Sequence, residues 1–135
     1  MRFAGYAALF DRVDRAGDVV RAGAFADGTV PLLWQHRGAP VGSAQVTADA
    51  RGLRVEGEIA VAEVAALVRS GALSGLSIGY RAVRTRQGAW REILSGVLIE
   101  VSLVAQPMQP GARVTTIAGY NPSRAKPAGI IAGVA

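Results

Sequence analysis

Three polar side chains are candidates for chemistry: Ser77, His36 and Glu100. Ser77 lies in the string Gly-Leu-Ser-Ile-Gly, which satisfies the G-x-S-x-G pattern of hydrolase nucleophiles. A serine hydroxyl needs a base to take its proton, and histidine is the usual base because it titrates near neutral pH. His36 is the only histidine of the chain, so any histidine-assisted mechanism must use it. Glu100 is a lone carboxylate in the apolar run LIEVSLV and could orient that histidine.

Each of these residues also has a purely structural interpretation. Ser77 could be a hydroxyl in a small-residue loop, since a chain with 17 glycines produces such strings by chance. His36 could be a hydrogen-bonded residue at a strand end, and Glu100 could pair with Arg81 or Arg91. The three together add weight to the chemical interpretation, because polar groups among apolar neighbours carry a desolvation cost, but the residues alone leave the structural interpretation open.

The order of the candidates along the chain excludes the fold that the G-x-S-x-G pattern first suggests. Enzymes of the α/β-hydrolase fold carry serine, acid and histidine in that order on a large, mostly parallel sheet. Here His36 comes before Ser77, and strands do not alternate regularly with helices. The order histidine, serine, glutamate in a mainly antiparallel domain therefore points to a different fold.

Composition restricts the kinds of site that the chain can hold. With 135 residues, 50% of them hydrophobic, it has the size of one domain with its own core. The absence of cysteine and the single histidine exclude disulfides and argue against a tetrahedral zinc site, so we expect neither a metal nor a cofactor. The apolar runs are shorter than a membrane span and no signal-peptide order is present, so we expect a soluble protein without a membrane partner.

The net charge of +5 raises the question of an anionic partner. The arginines are scattered and no basic, aromatic-rich motif appears, which argues against nucleic acid. Arg81, Arg84 and Arg86 form a local cluster that could bind an acidic peptide or simply face solvent.

The hydrophobic pattern predicts mainly antiparallel β structure with one helix on the outside. Residues 41–49 and 52–60 alternate as in a hairpin, and residues 61–70 have helical periodicity that ends at Gly71. Ser77 is expected in a loop, and His36 on a strand whose face it shares with residues 30, 32 and 34. Apolar residues 97, 99, 101 and 103 are expected on one strand face, and little structure is expected from residue 107 onward.

Five segments of the sequence carry a resemblance to a known family. They are, in order, GYAALFDRVDRAGDVVRAGAF, VPLLWQHRGAPVGSA, ARGLRVEGEI, LVRSGALSGLSIGYRAV and LIEVSLVAQPMQPGARV. Together they resemble the prohead (capsid maturation) serine protease family of tailed phages and gene transfer agents. The similarity runs from about Phe3 to Val114, and the last three segments are the most specific.

The resemblance implies a fold related to the herpesvirus assembly proteases, a compact antiparallel β-barrel with peripheral helices and an active site on its outer surface. It implies Ser77 as nucleophile, His36 as general base and Glu100 as the acid that orients the histidine. Ile99 stands where many members have tryptophan. Herpesvirus relatives use a second histidine as third member, which this chain lacks, so Glu100 is expected in that role. The implied organisation is a protease domain over residues 1–114 and a flexible C-terminal tail over residues 115–135.

The implied function is cleavage of the scaffold-like N-terminal segment of the major capsid protein. This would take place inside the assembling prohead, in the cytoplasm of the producing bacterial cell. The protease itself, the portal and a second copy of the chain in a homodimer are further implied partners. A rival hypothesis is a catalytically inactive, scaffold- or chaperone-like factor that binds the capsid protein. A third, a basic DNA-binding domain, predicts binding that weakens steeply with salt.

Overall fold

Alternating hydrophobic residues fold most of the chain into strands, as the sequence predicts. The computed structural model describes residues 1 to 118, and residues 119 to 135 lie outside this description. The described residues form eight strands and one helix: β1 (Arg2–Leu9), β2 (Asp18–Val20), β3 (Gly28–Trp34), β4 (Arg37–Ala48), β5 (Gly52–Ile59), α1 (Ala62–Ser70), β6 (Gly75–Gln87), β7 (Arg91–Val104) and β8 (Val114–Ile117).

The strands form one curled, half-barrel sheet in the order β2-β7-β3-β4-β5-β1-β8, with β6 paired to β7. Most neighbours are antiparallel, which confirms the predicted fold class. β7 also runs parallel to β2 near its beginning and to β3 near its end. β7 has 14 residues and β3 has 7, so β3 covers only part of one edge of β7 and leaves room for β2 on the same edge. The end of β7 therefore lies between the end of β3 and the beginning of β6.

The predicted hairpin and helix are both confirmed. β4 and β5 pair antiparallel, and the apolar face of β5 is buried in the core. α1 ends at Ser70, and Gly71 follows in the left-handed conformation with φ 85° while its N–H donates to Val68 O. In residues 1 to 118, no helix is long and apolar enough to cross a membrane.

The segment from Pro107 onward has more structure than the sequence predicts. Gln109 is buried, and its amide group bonds both backbone groups of Leu9, at 2.6 Å to N and 3.0 Å to O. β8 pairs with β1 up to Ile117, so the first residues of the predicted tail belong to the sheet. A polar residue makes the contacts with Leu9, and hydrophobic periodicity does not reveal such contacts. Residues 119 to 135 of that tail lie outside the described residues, and the division into domain and tail remains a prediction.

A β-bulge in β7 overturns the predicted alternation of its apolar residues. Gly79 pairs with Glu100 and Tyr80 pairs with Leu98, so Ile99 is an extra residue without a partner on β6. One extra residue reverses which side of the strand the next side chains face. Accordingly Ile99 is 54% exposed, although residues 101 and 103 of the same predicted face are fully buried. The bulge lies directly beside the candidate acid.

Two groups of ion pairs join β7 to the segments around it. The Arg91 guanidinium donates to both oxygens of Asp18 at 2.9 Å, and this bonding lowers the pKa of the Asp18 carboxyl. Arg86 and Arg21 both donate to Glu92, which lowers the pKa of that carboxyl from 4.5 to about 2.

We expect the Glu92→Gln variant to lose part of the acid sensitivity of the fold. Between about pH 4.5 and pH 2 the Glu92 carboxylate stays ionised in the folded chain but takes up a proton in the unfolded chain. Its contribution to the free energy of unfolding is therefore present above pH 4.5 and lost as the pH falls towards 2. Urea unfolding at a series of pH values should show a less steep loss of stability for Glu92→Gln than for wild type.

The matched control for this measurement is Glu58→Gln. Glu58 is exposed on β5 and makes no ion pair within the described residues. Its substitution should keep the wild-type pH dependence of the free energy of unfolding. If this free energy fell equally steeply with pH in all three proteins, the proposed role of the Glu92 ion pairs would be contradicted.

Candidate active site

His36 lies in a tight turn, not on the strand that the sequence predicts. Trp34 pairs with Arg37, so Gln35 and His36 form the two-residue connection between β3 and β4. Their φ angles are 55° and 61°, the left-handed values that the favoured hairpin turn requires at both positions. Glycine and asparagine usually occupy such positions, which is why the residue types here do not reveal the turn.

Contacts of Gln35 hold this turn against the end of β7. The Gln35 N–H donates to Leu103 O at 2.9 Å, and its side-chain Oε1 accepts from the Ala105 N–H at 3.0 Å. Non-glycine residues in the left-handed region are strained and persist where the surroundings hold them. Gln35 was not among the predicted site residues, because nothing in its type or spacing distinguishes it from any exposed polar residue.

The structure brings His36 and Glu100 into direct contact. Glu100 is only 7% exposed, and His36 Nδ1 donates to its Oε2 at 2.6 Å. The other oxygen, Oε1, accepts from Ser102 Oγ at 2.7 Å. The alternative interpretation, in which Glu100 pairs with Arg91, is wrong because Arg91 bonds Asp18 instead. With Nδ1 bonded to the carboxylate, Nε2 of the imidazole is left for another partner.

Ser77 lies within strand β6 and not in the loop that the sequence predicts. It pairs with Ser102 across the β6–β7 ladder. This pair is two residues along each strand from the Gly79–Glu100 pair. Paired residues share a face of a sheet, so Ser77 is on the same face as Ser102 and Glu100. In residues 1 to 118, no hydrogen bond joins the Ser77 hydroxyl to His36 or to any other group.

Ser77 is only 8% exposed, but its hydroxyl oxygen is not fully buried. Every fully buried side-chain oxygen or nitrogen of the described residues has a hydrogen-bond partner, and Ser77 Oγ has none, so it is not fully buried. A hydroxyl without a hydrogen-bond partner within residues 1 to 118, on the face that carries the His36–Glu100 pair, makes Ser77 the candidate nucleophile of this site.

The two glycines around Ser77 make space and do not form a turn. A Cβ at Gly79 would lie 2.2 Å from Glu100 Oε2, and one at Gly75 would lie 2.7 Å from Pro107 Cδ. Neither glycine has a positive φ angle. The nucleophile-elbow interpretation of the G-x-S-x-G pattern is therefore wrong, and at Gly79 the missing side chain is the space that the Glu100 carboxylate fills.

The edge of β6 that faces away from β7 borders a small cavity. The Leu76 N–H donates outward to Ala112 O at 2.9 Å, and by strand alternation the Ile78 N–H points to the same side. Ser77, Ile78 and Tyr80 line a cavity of about 110 Å³ at this edge. Burial raises the pKa of the Tyr80 hydroxyl to about 12, so it remains protonated near neutral pH.

The predicted arginine cluster is only partly available to a ligand. Arg86 is bonded to Glu92 at 2.8 and 3.0 Å, whereas Arg81 and Arg84 are exposed and form no ion pair within residues 1 to 118. Binding of an acidic peptide by these two arginines stays a prediction.

Comparisons with known proteins give a family and a fold. A family model described as caudovirus prohead serine protease matches residues 1–123. Among solved structures, the KSHV protease in complex with a hexapeptide phosphonate inhibitor is similar, with a TM-score of 0.58 and 13% sequence identity. The alignment covers 84% of this chain and 63% of that chain, so the chain spans less than two thirds of the herpesvirus protease. A comparison with curated proteins finds no match.

Proposed function

The chain belongs to the caudovirus prohead serine protease family, and we propose that it is a serine endopeptidase that cleaves the scaffold-like N-terminal segment of the major capsid protein. Self-cleavage is a second activity of the same site in this proposal. The observation that carries it is the 2.6 Å hydrogen bond from His36 Nδ1 to Glu100 Oε2, on the sheet face that holds an unbonded serine.

The proposed reaction uses three residues in separate roles. Ser77 Oγ attacks the peptide carbonyl carbon while His36 Nε2 takes the hydroxyl proton. Glu100 holds the Nδ1–H side of the ring and stabilises the imidazolium that forms. His36 then gives the proton to the departing amine, which leaves an ester on Ser77. Water, deprotonated by the same imidazole, hydrolyses this ester and restores the serine.

The positions of the elements support these roles. The end of β3 and the beginning of β6 lie on opposite sides of β7, which places His36 and Ser77 on either side of the strand that carries Glu100. Hydrogen bonds between catalytic groups are often long without substrate and shorten when it binds. An unbonded Ser77 hydroxyl is therefore compatible with proton transfer to His36 in the substrate complex.

A backbone donor for the developing oxyanion is available next to the nucleophile. The N–H of Ile78 follows Ser77 directly and points away from β7 towards the edge cavity. Backbone N–H groups beside a nucleophile commonly hold the negative charge of the tetrahedral intermediate. We assign the Ile78 N–H as the first candidate for this role.

The proposal is tested by expressing the untagged chain together with the major capsid protein precursor of the same genome. We expect mass spectrometry to find a capsid protein shortened at its N-terminus. A serine-reactive fluorophosphonate should stop this cleavage and add its mass to the peptide that contains Ser77. A precursor that keeps its full mass would exclude the protease activity, and precursor bound without cleavage would favour the inactive assembly factor. Cleavage inside the prohead, contact with the portal and a homodimer remain predictions.

A further inference from the structure

Ser102 is a buried polar residue that none of the proposed catalytic steps uses. It lies on β7 two residues after Glu100, and it is 0% exposed. Its hydroxyl donates to Glu100 Oε1 at 2.7 Å and accepts from the backbone N–H of His36 at 3.0 Å. A serine hydroxyl has one proton to donate, and here that proton is committed to the candidate acid.

The first consequence concerns the carboxylate of Glu100. One oxygen accepts from His36 and the other accepts from Ser102, so both are held by directional bonds. The carboxylate cannot rotate about its last torsion without bending one of these bonds out of its preferred geometry. Ser102 therefore fixes the direction in which Glu100 Oε2 faces the imidazole.

The second consequence concerns the backbone of His36. Its φ of 61° is in the left-handed region, which a histidine adopts only at a cost in free energy. The bond from the His36 N–H to Ser102 is a direct link between this strained residue and β7. Without it, the N–H would need another partner and the turn could shift relative to Glu100.

We propose that Ser102 is a positioning residue whose single hydroxyl joins the acid to the backbone of the base. Its role is to keep the imidazole in the tautomer with the proton on Nδ1, which leaves Nε2 free to accept the serine proton. A buried serine could satisfy its hydroxyl on any nearby carbonyl. Here the two partners belong to separate elements, and they are the two residues whose relative position the chemistry needs. The inference rests on the proposed function and adds to it a residue that does not touch substrate.

The first test reads the imidazole directly and does not depend on activity. His36 is the only histidine of the chain, so the full-length protein labelled with ¹⁵N-histidine and carrying no polyhistidine tag gives one set of imidazole signals. We expect the neutral imidazole of wild type to show mainly the Nδ1–H tautomer. Ser102→Ala should show a mixture of tautomers and faster exchange of the Nδ1 proton. Ser102→Thr, which retains the hydroxyl, should restore the wild-type spectrum.

The second test separates turnover from substrate binding. With the capsid precursor as substrate, we expect kcat of Ser102→Ala to fall about 10- to 100-fold, by analogy with the loss of groups that orient metal-binding side chains. KM should stay within about threefold, because Ser102 is buried and does not contact substrate. Ser95→Ala is the matched control, since Ser95 lies on the same strand and its hydroxyl makes no hydrogen bond within the described residues.

A Ser102→Ala protein with the wild-type imidazole spectrum and kcat within about twofold of wild type would overturn the proposal. If Ser102→Ala does not fold, Ser102→Cys replaces it in both measurements, because cysteine keeps the size of the side chain but is only a weak hydrogen-bond donor. If wild type cleaves nothing, the proposed function fails while the spectrum of His36 still decides the role of Ser102.

Discussion

Replacement of Ser77 by alanine is expected to reduce kcat/KM for the capsid precursor by about 10⁴- to 10⁶-fold. The reason is that the second serine on this face, Ser102, is fully buried with its hydroxyl bonded to Glu100, so it cannot replace Ser77 in forming the ester intermediate. The fold should tolerate the change, because within residues 1 to 118 the Ser77 hydroxyl makes no hydrogen bond and its loss leaves no buried partner unsatisfied. We expect the free energy of unfolding to stay within about 0.5 kcal/mol of wild type.

The control for this prediction is Ser70→Ala. Ser70 is exposed at the end of α1, where its hydroxyl donates to Leu67 O at 3.0 Å, so its substitution should leave cleavage unchanged. Cleavage rates are measured from the loss of intact precursor in gels or by mass. A Ser77→Ala protein that keeps more than about a tenth of wild-type activity would remove Ser77 as nucleophile.

Gly79→Ala is expected to reduce kcat/KM by about 10³-fold or more, although residue 79 carries no catalytic group. The new Cβ would lie 2.2 Å from Glu100 Oε2 and 2.8 Å from its Cδ, so the carboxyl group has to move. That movement breaks the bonds of Glu100 to His36 and to Ser102. Loss of the group that orients a catalytic histidine costs about 10⁴-fold in serine proteases with a known triad, and a displaced carboxylate should approach that loss.

Gly28→Ala provides the matched control for Gly79→Ala. Gly28 also lies in a strand and has no positive φ, and a Cβ added there would meet no atom within 4 Å. Both substitutions lower the flexibility of the unfolded chain in the same way, so only the contact with Glu100 differs. The imidazole spectrum of His36 should change in Gly79→Ala and not in Gly28→Ala. Equal activity of the two variants would show that Glu100 does not need its present position.

Much of the local structure could be predicted from periodicity. Alternation identified the β4–β5 hairpin, and the helical repeat with Gly71 identified α1 and its end. In both, the backbone hydrogen bonds join residues near in sequence, which is why a local pattern is sufficient. The parallel contacts of β7 with β2 and β3 were not predictable in this way, because they join residues far apart in the chain.

The candidate site was predictable in part. Ser77 stood out through its glycine-flanked string, His36 as the only histidine of the chain, and Glu100 as a lone carboxylate in an apolar run. Ser102 and Gln35 did not stand out, since serine and glutamine are common in turns and strands and their roles depend on distant partners. The bond between Ser102 and His36 spans 66 positions of the chain, and the bond from Ala105 to Gln35 spans 70. The bulge in β7 was hidden for the same reason, because it exists only through the register of β6 against β7.

The sequence by itself determined which chemistry was available: one serine in a glycine-flanked string, one histidine, no cysteine, and a series of segments that resembles one protease family. Residue types set what a side chain can donate, accept or attack, and the chain order set which folds could hold them. Only the tertiary structure decided that Ser77 is on a strand, that His36 is in a strained turn, and that Gly79 makes room for a carboxylate. These features follow from strand register and close packing, which depend on contacts across the sheet and not on neighbours in the sequence.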